Sequence, residues 1–391
     1  MTSGLRFALY FSVFYTPSAL MLAYWPVWLK DKGLDAVAIG TLLFAVQWIK
    51  VCGTLLSGDL ADRFGQARLV VLALSTVGVG VMALFGLAEG YWLLLALTLL
   101  WGASWSGILP IVDGQAMQAS VREGFDYGRA RLWGSITFIA ATVGGGYVLQ
   151  VAGSSAIHSL ILATAIATML AALLLPAGAS GEKRSAAGRG AMLALLRDRP
   201  FVLFMLAGAA VQVSHAVYYG FGTLDWRAKG LDEGTIGLLW GMGVVAEIVL
   251  FALGRPLAER VGILRLLAVA GVAGVLRWGL TPFVDDFAPL LAIQALHALT
   301  FGAAHLAAMM FIQRYVPLSA TSSAQALYAA VPIGLGMGLA MMGAGLLYEK
   351  VAAYAYLAMA GLGLVSLFFT ALLARAWRGE GMAFNASARA P

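Results

Sequence analysis

Four charged residues stand inside long apolar runs of this 391-residue chain: Lys50, Asp113, Glu247 and Arg277. An ionisable group within an apolar span is costly unless it is paired or wetted, so each marks a candidate site. Arg131, His215, His297 and His305 join them. Lys50, with Gln47 one helical turn before it, has the chemistry of an anion-binding group facing a wet cavity. Asp113 and Arg131 lie on consecutive runs joined by a short polar turn, so they can meet. Such a pair binds hydroxyls or a carboxylate, or acts as a gate. Glu247, Arg277 and His297 fall within about two helical turns of one depth at 1.5 Å per residue. A carboxylate beside an arginine or histidine feels opposed effects of desolvation and attraction, which suits a proton-coupling group. Glu247 is the first choice for the proton, with His305, eight residues after His297, on roughly the same face. His215 and Tyr219, in the string HAVYYGF, are the remaining solute-binding candidates.

The elements that must position these residues are apolar helices. The chain is 61% hydrophobic and 11% charged, with a mean hydropathy of +0.87. Soluble domains carry about 25% charged residues, so the balance is that of a polytopic membrane protein. A membrane-spanning helix takes about 20 apolar residues. Twelve runs satisfy this: 6–29, 37–60, 67–88, 91–119, 130–151, 155–176, 200–224, 234–257, 263–283, 287–313, 322–348 and 351–376. The reading is an all-α membrane protein of twelve spans. It divides as 1–176, a six-helix bundle; 177–199, a charged linker; 200–377, a second six-helix bundle; and 378–391, a tail. The first run is read as a retained span, and Trp25 and Trp28 near its end as interfacial belt residues. The glycines, densest at 144–146 and at 334, 336 and 338, are read as helix-packing positions. Cys52 is the one cysteine, so no internal disulfide forms.

The two halves share a string. Leu60-Ala61-Asp62-Arg63-Phe64-Gly65 returns as Leu257-Ala258-Glu259-Arg260-Val261-Gly262. Each copy follows a glycine, Gly58 or Gly254, and precedes an arginine, Arg68 or Arg265. A charged turn repeated half a chain apart indicates an internally duplicated bundle. Gly58, Asp62, Arg63, Gly65, Arg68, Glu259 and Arg260 are the candidate gating residues, since ion pairs there can close one face of the bundle and break in another state. With the linker and both termini on one side, that side holds seventeen Lys/Arg against five on the other. The positive-inside rule then makes the linker and termini cytoplasmic. The net charge of +6 is scattered over short loops, which suits orientation in a bilayer rather than nucleic-acid binding.

The repeated turn resembles the loop motif of the major facilitator superfamily. The whole chain resembles the phenylpropionate permease family within it, through DYGRARLWGS (126–135), HAVYYGF (215–221), GVVAEIVLFA (243–252), VLRWG (275–279) and HLAAM (305–309). A more distant likeness to lactose permease implies substrate-binding roles for Asp113 and Arg131, and coupling roles for Glu247, Arg277 and His297. Where that protein carries its main proton-binding glutamate, this chain has Thr300, and its helix-11 lysine falls near Ile333. Together these imply a proton-coupled symporter in a bacterial inner membrane, working by alternating access as a monomer. Its expected cargo is a small organic acid, preferentially an aromatic carboxylate, because three cations face two carboxylates in the spans. A neutral sugar or nucleoside is the alternative cargo, and a non-transporting membrane sensor the second alternative. No cofactor beyond the proton gradient, no metal site and no enzymatic activity is expected, since no metal cluster, nucleotide-binding loop or nucleophile–base spacing appears.

Overall fold

The computed structural model describes residues 1–64, 66–177 and 189–382, and of residues 55, 58–64, 189, 255 and 257 only the backbone. The linker and tail read from the sequence therefore lie partly outside the described residues. Among these residues the regular structure is helical. In chain order the α-helices are α1 (Ser3–Asp31), α2 (Ala36–Phe64), α3 (Ala67–Phe85), α4 (Tyr91–Trp105), α5 (Ile108–Glu123), α6 (Tyr127–Ala152), α7 (Ala156–Ala172), α8 (Arg189–Arg197), α9 (Arg199–Val213), α10 (Ala216–Ala228), α11 (Glu233–Val261), α12 (Ile263–Leu280), α13 (Phe287–Ala295), α14 (Ala304–Tyr315), α15 (Thr321–Tyr328), α16 (Met337–Val351) and α17 (Ala355–Ala376). Two π-helical stretches, Ala298–Ala303 and Ala329–Gly336, interrupt the later helices.

By length and hydropathy, ten stretches of the described residues can cross a membrane, and Ala156–Ala172 is a shorter apolar helix. The last stretch, Leu318–Ala376, is 59 residues long. At 1.5 Å per residue it would reach about 90 Å, three times a hydrocarbon core of about 30 Å. It turns at Ala352, whose φ of 47° ends α16. The run expected as one helix over 91–119 is broken at Ser106 and Gly107 into α4 and α5. At this crossing a Cβ on Gly107 would lie 2.0 Å from Ser57 Oγ, and one on Gly53 would lie 2.7 Å from the Ala103 carbonyl oxygen. The glycines thus let α2 and the α4–α5 pair touch at backbone distance.

The chain divides into two compact units, and the division does not follow the chain midpoint. Unit 1 is Met1–Arg184, Tyr218–Met242 and Met341–Ala352. In it α1 lies between α6 and α7. Because α1 is central, Trp25 and Trp28 are buried, stacked 4.4 Å apart against Phe85, and are not the belt residues expected from sequence. Segments from the second half of the chain are built into this unit. Thr223 donates to the Ala23 carbonyl and accepts from Trp240 Nε1 at 2.9 Å. Tyr24 donates to the Thr142 carbonyl at 2.6 Å, and Glu349 accepts from the Ala36 amide at 2.9 Å. Gly40 and Gly345 approach so closely that a Cβ on Gly40 would lie 2.9 Å from the Gly345 Cα. Of the expected packing glycines at 144–146, Gly145 and Gly146 make such contacts, whereas Gly144 faces open space.

Unit 2 is Ser185–Val217, Gly243–Ala340 and Ala353–Pro391. Here α12 packs on α17 and on the first π stretch. Gly271 and Gly363 bring α12 and α17 together, a Cβ on Gly363 lying 2.9 Å from the Val275 amide nitrogen. The core is aromatic, with Phe204 stacked 4.1 Å from Phe311 and Trp377 edge-on to Phe311 at 4.9 Å.

Candidate functional site

Two groups of polar side chains inside the spans carry the candidate charges Asp113, Arg131, Glu247 and Arg277, one group in each unit. The first is built on the start of α6. Asp126 caps that helix by accepting from the Arg129 amide at 3.1 Å. Tyr127 and Arg131 then fall four residues apart, on one face. Asp113 of α5 meets both: its Oδ1 accepts from the Tyr127 hydroxyl at 2.9 Å and lies 3.4 Å from Arg131 Nε. This contact is single-pointed, not the two-point fork that a carboxylate and a guanidinium can form. Arg131 also donates to the Tyr15 hydroxyl through Nη2. Its guanidinium lies over two rings of α1, Tyr15 at 4.4 Å and Phe11 at 5.3 Å. Gly134 makes this possible, because a Cβ there would lie 2.5 Å from Tyr15 Cδ2. The Arg131 and Asp113 side chains remain 30% and 26% exposed. A guanidinium held by rings on its face, with a partly open edge, suits a ligand that joins an anion or hydroxyl to an aromatic body.

Lys50 and Gln47 are also in unit 1, where Lys50 Nζ donates to Gln47 Oε1 at 3.1 Å on the exposed face of α2. Tyr219 stands in an aromatic cluster, 5.2 Å from Tyr218 and 6.5 Å from Trp240.

The second group centres on Arg277 of α12, which is fully buried. Its Nη1 reaches His297 Nδ1 and Thr300 Oγ1, both at 3.0 Å. Its Nη2 donates to Gln294 Oε1 at 2.7 Å, and its face lies 4.2 Å from the Trp278 ring. His297 caps the start of the π stretch that follows α13 and Thr300 lies within it, and the widened turn lets both face α12. Beyond the ring, His297 Nε2 is 3.7 Å from Glu247 Oε2 on α11.

The partners fix the proton positions. An arginine only donates, so His297 Nδ1 must accept, and the ring proton is on Nε2, aimed at Glu247. A second proton on Nδ1 would face the arginine's own N–H. His215 Nδ1 lies 3.1 Å from two carbonyls, Val211 and Gln212, so it carries the proton there. Its Nε2, 3.1 Å from Thr300 Oγ1, then accepts the threonine hydroxyl in the neutral ring. Thr300 thus accepts from Arg277 and donates to His215, and all three bonds close with both histidines uncharged. His305 lies further along the same face, and the rings of His297, Phe301 and His305 form a ladder with spacings of 5.4 and 6.2 Å.

The structure therefore brings Asp113 to Arg131, Lys50 to Gln47, and Glu247 to His297, which in turn meets Arg277. It places His215, read from sequence with the solute-binding group, in the Arg277 network. Sequence reasoning did not single out Tyr15, Phe11, Tyr127 and Gln294 as site members. The spacing of Phe11 and Tyr15, and of Tyr127 and Arg131, at four residues was the available signal. The repeated turns are shorter than expected, because α2 runs to Phe64 and α11 to Val261. Gly65 and the side chains of Asp62 and Arg63 lie outside the described residues, and Gly58 is a backbone position within α2. Arg68 Nη1 is 3.5 Å from the Leu175 carbonyl, and Glu259 and Arg260 are exposed on the last turn of α11.

Comparison with known proteins gives four findings. The model of the MFS_1 like family matches residues 5–358. A probable 3-phenylpropionic acid transporter of Escherichia coli is 33% identical over 92% of this chain and 94% of its own. A maltose permease of Geobacillus stearothermophilus is 29% identical over 87% of this chain and 86% of its own. Among solved structures, the nucleoside transporter NupG has a TM-score of 0.83 at 16% identity, covering 96% of this chain and 100% of that one.

Proposed function

This chain belongs to the MFS_1 like family and is a multi-pass membrane transporter of the major facilitator superfamily, and from that premise we propose that it is a proton symporter for a small organic acid, preferentially an aromatic one. The observation that carries the reading is the Arg131 guanidinium, held across the Phe11 and Tyr15 rings with a single-point contact to Asp113. A carboxylate has a charged edge to approach there, and an aryl group has rings to lie against. Lys50 adds a cation whose contact is the neutral amide of Gln47. The relative whose name includes 3-phenylpropionic acid supports the same cargo class.

In this reading the chain crosses the membrane twelve times, as two six-helix halves, with both termini in the cytoplasm. The seventeen-to-five distribution of Lys/Arg between the two sides supports that orientation. The proton resides on Glu247. The Nε2–H of His297 aimed at it supports this, because that contact favours the carboxylate and is released when the carboxylate is protonated. Arg277 and Thr300 engage His297 and His215 as neutral tautomers, which supports Glu247 as the member of this network that changes charge.

A second cargo class, a neutral sugar or nucleoside, is favoured by one observation. Asp113 and Arg131 neutralise each other, and with Tyr15 and Tyr127 they offer the mixed donors and acceptors that hydroxyls need. Relatives named a maltose permease and a putative nucleoside transporter fall on that side. Uptake by purified protein in proteoliposomes separates the two. With an inward proton gradient, 3-phenylpropionate should accumulate and Lys50→Ala should weaken its apparent affinity at least tenfold. Accumulation of maltose or uridine instead, indifferent to Lys50→Ala, would establish the second reading.

A further inference from the structure

Unit 2 carries a second concentration of positive charge, at the ends of its helices rather than within its spans. Where α12 begins and α14 and α17 end, a recess of about 350 Å³ opens. Three arginines line it, each from a different element: Arg265 in the first turn of α12, Arg314 in the last turn of α14, and Arg378 just after α17. The remaining lining residues are Trp377, three aliphatic side chains and two glycines, with no acidic residue. Among the described residues none of the three guanidiniums meets a hydrogen-bond acceptor or a carboxylate.

The recess has fixed walls. Gly262, at φ 82°, starts α12 and supplies no side-chain cap, so the first amides of that helix, whose residues line the recess, have no side-chain acceptor. The segment after α17 is tied back at two points. The buried Trp377 donates from Nε1 to the Glu380 carbonyl at 2.7 Å, and the Met382 amide donates to the Tyr315 carbonyl at 2.8 Å. Gly379, at φ 99°, allows the bend between them. Arg378 is thereby held on a strap that faces the other two arginines. The nearby Asp198 is already engaged, accepting from Tyr315 Oη and the Phe201 amide at 2.8 Å each.

We propose that this recess is a binding site for a phosphate group, with Arg265, Arg314 and Arg378 as its ligands. Three convergent guanidiniums satisfy the oxygens of a phosphoryl anion in a way that a single carboxylate cannot, and the uncapped amides of α12 add donors of the same sign. The indole and aliphatic lining suits a group whose phosphate is attached to an apolar body. Because the recess sits where three spans end, it lies at the depth of lipid headgroups. Two sources present this chemistry there: the headgroup of an anionic phospholipid, or a soluble phosphate from the aqueous side.

The test uses the full-length protein purified in detergent and reconstituted into nanodiscs. In one arm native mass spectrometry measures retention of phosphatidylglycerol against phosphatidylcholine. In the other, a thermal shift is titrated with inorganic phosphate against chloride at constant ionic strength. The wild-type protein should retain phosphatidylglycerol selectively, or be stabilised saturably by phosphate; the first result identifies a lipid and the second a soluble ligand. The Arg265→Gln/Arg314→Gln/Arg378→Gln variant should lose the effect by at least tenfold. Arg378→Gln alone, altered on the strap outside any helix, should weaken it about threefold and covers the case in which the triple variant does not fold. Arg375→Gln, which removes an arginine outside the lining, should leave it unchanged. Absence of both effects in the wild type, or an equal loss with Arg375→Gln, overturns the proposal in favour of diffuse surface charge.

Discussion

Thr300 shows how one hydroxyl can organise several charges. It accepts from Arg277 and donates to His215, so replacing it with valine strands a buried donor and a buried acceptor. Each unsatisfied buried group costs about 1–3 kcal/mol. Thr300→Val should therefore lower the thermal midpoint, reduce proton-driven accumulation at least tenfold and change its pH profile. Thr300→Ser, which keeps the hydroxyl, should restore both within about threefold. A normal pH profile for the valine variant would remove Thr300 from the coupling network. Gly134 provides a parallel test in the Arg131 group. A methyl group there collides with Tyr15, whereas one on Gly144, on the same helix, meets open space. Gly134→Ala should weaken apparent cargo affinity about tenfold, and Gly144→Ala should be silent in the same uptake assay. The charged members of both groups were legible in the sequence because a charge in an apolar run is conspicuous. Tyr15, Tyr127 and Gln294 were not, since aromatic and amide residues are ordinary constituents of spans and their roles appear only when two helices meet. Thr300 was visible only as the place where an expected carboxylate is missing.

At the scale of elements, hydropathy placed the ends of the apolar helices to within a few residues but not their interruptions, and ten stretches of the described residues rather than the expected twelve are long and apolar enough to cross a membrane. The break at Ser106–Gly107 and the π turn at Ala298–Ala303 respond to neighbouring helices, and a hydropathy window averages over such local events. The repeated turns appeared longer than they are for a different reason: polar residues at a span end continue the helix outside the apolar layer, as α2 does to Phe64. The close contact of α2 and α16 at Gly40 and Gly345 leaves no room for a side chain. Gly345→Leu should force these helices apart and reduce transport at least tenfold, with newly exposed residues on α2 detected by thiol labelling of an Ala36→Cys probe. Unchanged labelling would show that the two helices stay together despite the larger side chain. The entry to α11 is pH-sensitive in a defined direction. Asp232 accepts from the Thr235 amide at 3.0 Å and its hydroxyl at 2.8 Å, and these bonds hold its carboxyl below the usual carboxylate range. A depressed folded-state value means the cap contributes at and above the ordinary carboxylate titration and is lost as the pH falls through the lowered value. Hydrogen exchange of the first amides of α11 should rise over that acidic interval, and Thr235→Ala should move the rise to higher pH.

For the whole molecule, the sequence repeat suggests two equivalent halves, yet the two polar groups are chemically unlike. The Arg131 group is partly exposed, with a carboxylate, two phenols and an aromatic face. The Arg277 group is buried, and its arginine is surrounded by neutral acceptors, with Glu247 reached through an imidazole. In the proposed reading the first group admits the solute and the second registers the proton. This difference predicts a separable phenotype. Glu247→Gln keeps the shape of the protonated side chain but cannot lose its charge-bearing proton. If Glu247 is the coupling carboxylate, the variant should fail to accumulate cargo against a gradient, while exchange of internal for external cargo persists at a substantial fraction of the wild-type rate. The reason is that exchange needs only loaded, protonated forms, whereas net uptake needs the carrier to release its proton before it resets. Asp113→Asn in the other group should instead impair both modes together, because it alters the hold on Arg131 during binding itself. Counterflow and gradient-driven uptake, measured on the same proteoliposomes, distinguish these outcomes. Full accumulation by Glu247→Gln would move the proton to another group. Equal loss of both modes in both variants would show that binding and coupling are not divided between the two groups.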